Sequence, residues 1–194
     1  MPVLDRSFYA STDVVRLAKE LLGKVIETRI DGVRTSGVIT GTEAYAGEGD
    51  RASHAHGGRR TARTEVMYGA PGRAYVYLCY GIHHLFNVVT APKGVPHAVL
   101  VRTMTPLEGK AVMRGRRGSG DRLRTVGPGM MAQALGITTA LSGADLIRGP
   151  IRISDEGLRV DNEAVTISPR IGVAYAGDDA LLPYRFDIPM SGIA

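Results

Sequence analysis

The sequence predicts one α+β domain spanning residues 1–194 and built on a mostly antiparallel β-sheet. Three observations lead there. Hydrophobic residues are 44% and charged residues 22% of the chain, the balance of a globular domain with a buried core rather than of a disordered or fibrous one. Extended segments come in pairs joined by short turns, around Asp31-Gly32 and around Tyr80–His84. No regular alternation of strand and crossover helix appears, which argues against a parallel sheet. No internal repeat, linker or low-complexity tract divides the chain.

The elements follow in order. Ser11 or Thr12 is expected to cap a helix whose apolar face is Val14, Leu17, Ala18 and Leu21, with Gly23 ending it. Lys24–Ile30 and Val33–Tyr45 are predicted strands around the Asp31-Gly32 hairpin turn. Ala46–Thr64 is polar, Gly-rich and long for a loop inside a compact domain, a length that usually marks function or disorder. Tyr75–Thr90 predicts a second hairpin protruding at Tyr80–His84, and Ala98–Met104 another strand. Thr105-Pro106-Leu107-Glu108 has the form of a capping box with proline at the first helical position, so a helix is expected to open there. Gly115–Gly127 is expected to be a basic, flexible loop, and Pro128 to begin a short helix stopped by Gly136. Short strands are predicted at Ile151–Ser154, Val165–Ser168 and Tyr184–Ile188.

Composition narrows the function classes. No apolar run approaches the roughly 20 residues needed to span a bilayer, and the early Asp5-Arg6 pair is not followed by an apolar signal core, so a cytoplasmic protein is expected. The single cysteine, Cys79, forbids an internal disulfide and fits a reducing compartment. The net charge is +5, and twenty of the 24 basic residues are arginines, whose planar forks match phosphate oxygens. Codon bias would produce the same excess, so distribution has to decide. Lys110, Arg114, Arg116, Arg117, Arg122 and Arg124 fall in one stretch opposed only by Asp121, and Arg51, Arg59, Arg60 and Arg63 form a second group. Such runs are often only solvated surface, yet they also suit contacts that track a nucleic-acid backbone.

Several residues carry potential chemistry. Period-two geometry puts Glu43 and Tyr45 on one strand face and Ala44 on the other. A carboxylate beside an aromatic wall suits a general base, although a strand-edge glutamate is also commonly just exposed. Tyr75, Tyr77 and Tyr80 lie within one hairpin. Tyr75 reads as packing, whereas an aromatic at the tip, followed by Gly81 and Ile82, is hard to explain by packing and suits a wedge between bases. Among the histidines His54-Ala55-His56 invites a zinc site, but no cysteine pair or HExxH helix completes one, and no GxSxG elbow supports a nucleophilic serine. A metal-dependent hydrolase and a non-catalytic nucleic-acid-binding domain are the competing readings.

Taken together, TEAYAGEGDRASHAHGG (residues 42–58), YVYLCYGIHHLFNVV (75–89) and VLVRTMTPLEG (99–109), supported by GPGMMAQAL (127–135), RGP (148–150), PRIGVAYAG (169–177) and PYRF (183–186), resemble the alkyladenine (3-methyladenine) DNA glycosylase family in order and spacing. The resemblance implies a single mixed domain around a curved antiparallel sheet, acting on double-stranded DNA that contains a damaged purine. It implies a monomer at the nucleoid, with no cofactor, metal or membrane. Residue by residue, Glu43 matches the general base and Arg102 the arginine that helps hold the attacking water. The Ile171 carbonyl matches a second holder of that water. Tyr45, His54 and Tyr77 match the walls around a flipped base, Asn87 the side chain that rejects guanine, and Tyr80 the wedge. Arg59, Arg63, Arg116 and Arg117 are the candidates for the DNA backbone. His83, His84 and Met130 depart from what relatives carry and bear on DNA contact rather than chemistry. The four lysines fall outside these motifs, so no Schiff-base lyase step is expected.

Overall fold

A computed structural model describes residues 2–118, 120 and 122–194; Asp121, expected to oppose the basic stretch from Lys110 to Arg124, lies outside them. Two short helices open the chain, α1 (Arg6–Tyr9) and α2 (Val14–Glu20). The cap of α2 is Asp13 rather than Ser11 or Thr12: its carboxylate accepts the Arg16 N–H at 2.9 Å, while the Ser11 hydroxyl accepts the N–H of Asp13. A carboxylate at the helix start also complements the macrodipole, which a hydroxyl cannot do.

The sheet is laid down by β1 (Val25–Ile30), β2 (Val33–Tyr45), β3 (Ala74–Cys79), β4 (His83–Thr90), β5 (His97–Glu108) and β6 (Ile151–Ser154), with β7 (Thr166–Ser168) and β8 (Arg185–Asp187) as short additions. Its order is β3-β4-β5-β2-β1-β6, and β8 pairs with the second half of β2. Every strand pair described is antiparallel. The Asp31-Gly32 turn is as expected, both residues sitting at positive φ (50° and 77°), the geometry of a tight hairpin.

The long β2–β5 pair carries the curvature. Its register shifts between Ser36 and Gly37, between Ile39 and Gly41, and between Gly41 and Thr42. Each bulge sharpens the local twist. At Gly41, flanked by β5 and β8, a Cβ would stand 2.4 Å from the Thr103 hydroxyl and 2.7 Å from the Asp187 carboxylate, so any side chain there would displace both.

The helix expected from Thr105 is not there. Thr105–Glu108 continues β5, and α3 (Lys110–Arg117) begins only after Gly109. The local pattern loses to tertiary partners. Pro106 sits opposite Gly37 beside a bulge, where its missing N–H is tolerated, and the Glu108 carboxylate is taken by Arg34 at 2.6 Å instead of a helix N-terminus. The basic stretch after it is likewise less loop-like than expected, since Gly115–Arg117 is helical. Arg116 donates to the Thr35 hydroxyl and to the Ala134 carbonyl, tying α3 to α4 (Pro128–Leu135). Gly136 ends α4 in the left-handed conformation as predicted.

The two faces of the sheet have different occupants. Cross-strand neighbours Ala44, Val99, Val88 and Ala74 form a row on the face that packs, with α2 and α4, into the main core around Leu17, Phe86, Met131 and Leu135. The adjacent row is Glu43, Leu100, Asn87 and Tyr75. Period-two alternation puts that row on the opposite face.

Candidate active site

On that second face the sheet forms the floor of a cavity of about 510 Å³. Tyr45, Tyr77, Asn87, Leu85, Leu100 and Ala98 come from the strands, Ala52, Ser53 and His54 from the loop after β2, and Ile171 and Tyr175 from the segment before β8. The volume lies within the roughly 300–1,000 Å³ of small-molecule sites.

Glu43 is fully buried and lies one layer behind this lining. Two donors and an ion-pair partner hold its carboxylate: the Ile171 N–H on Oε1 at 2.9 Å, the Tyr45 hydroxyl on Oε2 at 2.9 Å, and the Arg102 guanidinium, whose Nη1 lies 3.0 Å from Oε1. All three residues line the cavity. The exposed strand-edge alternative for Glu43 is thereby excluded. Arg102 reaches it through a backbone irregularity: Gly41 pairs with Thr103 and Thr42 with Val101, leaving Arg102 as the extra residue of a β5 bulge. It is mostly buried, with 11% of its side chain exposed.

The aromatic walls are ordered by their own contacts. Tyr75 is buried, as read from the sequence, and its hydroxyl lies 2.7 Å from His54 Nδ1. The His54 ring meets Tyr77 edge-on, centroids 4.6 Å apart. Burial, reinforced by Arg63 and Arg59, pulls the His54 pKa down to about 4, so the imidazole is neutral at pH 7. Burial and then Glu43 push the Tyr45 phenol far up, keeping it a donor. Burial likewise pushes the Tyr75 phenol up to about 12. Asn87 is buried and donates to the Tyr75 carbonyl at 3.1 Å, which fixes its amide against the cavity.

Tyr80 stands at the mouth, 90% exposed, at the tip of the β3–β4 hairpin. Its φ is +51°, unusual for an aromatic residue, and Gly81 follows at +73°. The turn closes with the Ile82 N–H on the Cys79 carbonyl at 3.2 Å. The hairpin tip is therefore tightly specified.

The four candidate backbone arginines divide. Arg59 and Arg63 are exposed on the loop beside His54, and their charges are felt at that ring. Arg116 and Arg117 lie on α3 with their guanidinium groups turned to α4, Arg117 bonding the Gln133 side chain. His56 does not join His54; its Nδ1 lies 3.0 Å from the Glu48 carbonyl. Among the described residues no three His, Cys, Asp or Glu side chains cluster as metal ligands. No helix of the described residues is long and apolar enough to cross a membrane.

Sequence reasoning missed three parts of the site. Met67, Leu85 and Leu100 make an apolar floor. Tyr175, 70% exposed, lines the mouth and anchors its hydroxyl on the Ala52 carbonyl at 3.0 Å. A buried Arg170–Asp50 ion pair lies behind Tyr45. Alternation along the strands was the signal that could have found Leu85 and Leu100; nothing local links Asp50 to Arg170.

Comparison with known proteins bears on this site. Residues 7–191 match the methylpurine-DNA glycosylase family. Two relatives both carry the name "Putative 3-methyladenine DNA glycosylase". One, from Chlamydia abortus, is 45% identical over 187 residues, covering 95% of this chain and 97% of the relative. The other, from Bacillus cereus, is 43% identical over 190 residues, covering 93% and 92%.

Proposed function

The chain belongs to the methylpurine-DNA glycosylase family, and from that premise we propose that it excises alkylated or deaminated purines from duplex DNA by a water-mediated, monofunctional mechanism centred on Glu43. Family membership itself makes the protein a DNA-repair hydrolase of N-glycosyl bonds. The observation that carries the finer reading is a buried carboxylate, held by donors only, directly behind an aromatic slot whose mouth bears an exposed tyrosine.

In the proposed reaction the damaged nucleotide rotates into the slot while Tyr80 fills the vacated position in the stack. The C1′–N bond breaks with its electron pair leaving on the purine, through a sugar with cationic character. Water adds its oxygen to C1′ and gives its proton to Glu43, leaving an abasic site and a free base. The negative carboxylate also stabilises the cationic sugar. Arg102 and the Ile171 main chain, both already on Glu43, orient that water.

Selection is divided among several groups. Purines alkylated at N3 or N7 are cationic, so Tyr45 and Tyr77 attract them through cation–π contact, and a neutral His54 adds no opposing charge. Asn87 rejects guanine by crowding its exocyclic amine. 3-Methyladenine, 7-methylguanine, hypoxanthine and ethenoadenine are the candidate substrates, the neutral ones slower because the leaving group carries no charge. Arg59 and Arg63 would meet phosphates. None of the four lysines lines the cavity, which supports hydrolysis without a lyase step. The reading places the protein in the cytoplasm, at the nucleoid, acting as a monomer.

The test is incubation with duplexes bearing each lesion singly, followed by alkaline cleavage at abasic sites. Cleavage at the lesion with no adduct trapped by borohydride is expected. DNA binding without base release from any of them would reduce the protein to a binding domain, and a borohydride-trapped adduct would overturn the monofunctional mechanism.

A further inference from the structure

The ion pair behind the slot does more than close a loop. Arg170 and Asp50 are almost wholly inaccessible, with 0% and 2% of their side chains exposed. Both Asp50 oxygens accept from Arg170, Nη2 on Oδ1 at 2.9 Å and Nη1 on Oδ2 at 2.5 Å. Nη1 also donates to the Ala44 carbonyl at 3.0 Å, and Nη2 to the Asp179 carbonyl at 3.0 Å. Asp50 in turn accepts the N–H groups of Ala46 and Ala52, each at 3.0 Å. The guanidinium carbon lies 4.8 Å from the Tyr45 ring centre and 5.2 Å from that of Tyr184.

One pair thus joins three chain segments: the end of β2 with Tyr45, the loop that carries His54, and the turn that carries Ile171. Each contributes a group that touches Glu43 or walls the slot. As a source of stability the arrangement is poor, because two desolvated charges seldom gain more than packed apolar side chains would, and Arg170 Nε has no hydrogen-bond partner. Its yield is geometric. A bidentate fork stacked between two rings has almost no freedom to shift, and Ile171, whose N–H orients Glu43, is the next residue in the chain.

We propose that Arg170 and Asp50 are a positioning pair for the hydrolytic centre, holding the Ile171 main chain and the Tyr45 ring in register with Glu43, a role that rests on the reading of Glu43 given above. Neither residue touches substrate. Loosening the pair moves the donors off the carboxylate, and a misplacement on the order of 1 Å near reacting groups costs about 100-fold in rate. DNA engagement by Tyr80 and the exposed arginines does not pass through the pair.

The experiment uses Asp50→Asn, which keeps an acceptor for one of the two backbone N–H groups and removes the charge, and Arg170→Lys, which keeps the charge but not the fork. Single-turnover base release from a 3-methyladenine duplex is measured beside affinity for a duplex containing a tetrahydrofuran abasic site. A core variant far across the sheet, Ile153→Ala in β6, serves as the control for lost stability at matched melting temperature. Release about 100-fold slower with unchanged abasic-site affinity, and a smaller loss in the control, is the expected result. Parallel loss of release and affinity, or a rate no lower than the control's, overturns the proposal. Should Asp50→Asn not fold, Arg170→Lys alone carries the reading. A wild type that releases no base sinks the Glu43 reading and this proposal with it; a wild type that releases base beside variants equally fast sinks this proposal alone.

Discussion

Replacing Glu43 by glutamine separates chemistry from architecture, because the surroundings of this side chain accommodate an amide. In Glu43→Gln the amide oxygen takes the place of Oε1, keeps the Ile171 N–H as donor and stays beside the Arg102 guanidinium. The new NH2 faces the Tyr45 hydroxyl, which rotates from donor to acceptor. What disappears is the negative charge opposite Arg102, a residue that still borders the cavity and is open to water there. Charge-assisted bonds contribute about 1.5–3 kcal/mol each, so a net loss of about 2 kcal/mol follows. For a chain of this size that is a fall of about 4–8 °C in Tm. Base release loses both the proton acceptor and the stabilisation of the cationic sugar, and should drop at least about 1,000-fold. Thermal melts, single-turnover release and binding to an abasic-site duplex measure the three quantities separately. A folded variant releasing base within about tenfold of wild type would show that Glu43 is not the proton acceptor. One that loses abasic-site binding as well would make the carboxylate a scaffold.

Three further outcomes are expected. The folded pKa of His54 is depressed to about 4 from its ordinary 6.5, so the unfolded chain binds the extra proton in that interval; stability is complete above about pH 6.5 and declines as pH falls toward 4. Tm measured across that range should flatten in His54→Gln, and an unchanged slope would remove His54 as the cause. At Tyr80 the left-handed backbone favours glycine, so Tyr80→Gly should melt above Tyr80→Ala by the equivalent of about 1 kcal/mol, while both lose lesion affinity alike. Equal melting points would show that the turn relaxes in the variants. Finally, Arg59→Ala and Arg63→Ala should each reduce the slope of log affinity against log salt by about 0.9, whereas Arg116→Ala, whose guanidinium bonds Thr35 and Ala134, should lower Tm and leave that slope unaltered. A reduced slope in Arg116→Ala would return that residue to the DNA interface.

What the sequence made legible is what short-range physics decides. The Asp31-Gly32 turn, the left-handed stop at Gly136 and the facing of Glu43 with Tyr45 each follow from neighbours within a few residues. The misreadings have the opposite origin. Thr105–Glu108 satisfies every local rule for a helix start, yet β2 offers it a long hydrogen-bonding partner and Arg34 claims the glutamate. Gly115–Arg117 looked loop-like because its glycine and charges ignore the anchorage that α4 supplies. For the site, the family resemblance brought forward residues that periodicity alone could not have joined, such as Glu43 and Ile171, which are 128 positions apart. Arg170 and Asp50 went unnoticed since their 120-residue separation leaves no pattern to detect.

The extra residue in β5 has a consequence for how the protein tolerates change. An unmatched position in a strand ordinarily inverts everything beyond it. Here ordinary alternation sends Ala98, Leu100 and Arg102 into the slot and Val99 and Val101 into the interior, and the inversion past Arg102 turns Met104 to the interior as well. Because the two sets interleave without sharing a member, Leu100 can alter the depth of the slot while the main core keeps its volume, whereas Ala98 also packs against Met67, Tyr75 and Val89. At Leu100, therefore, the shape of the slot and the packing of the main core are separately adjustable.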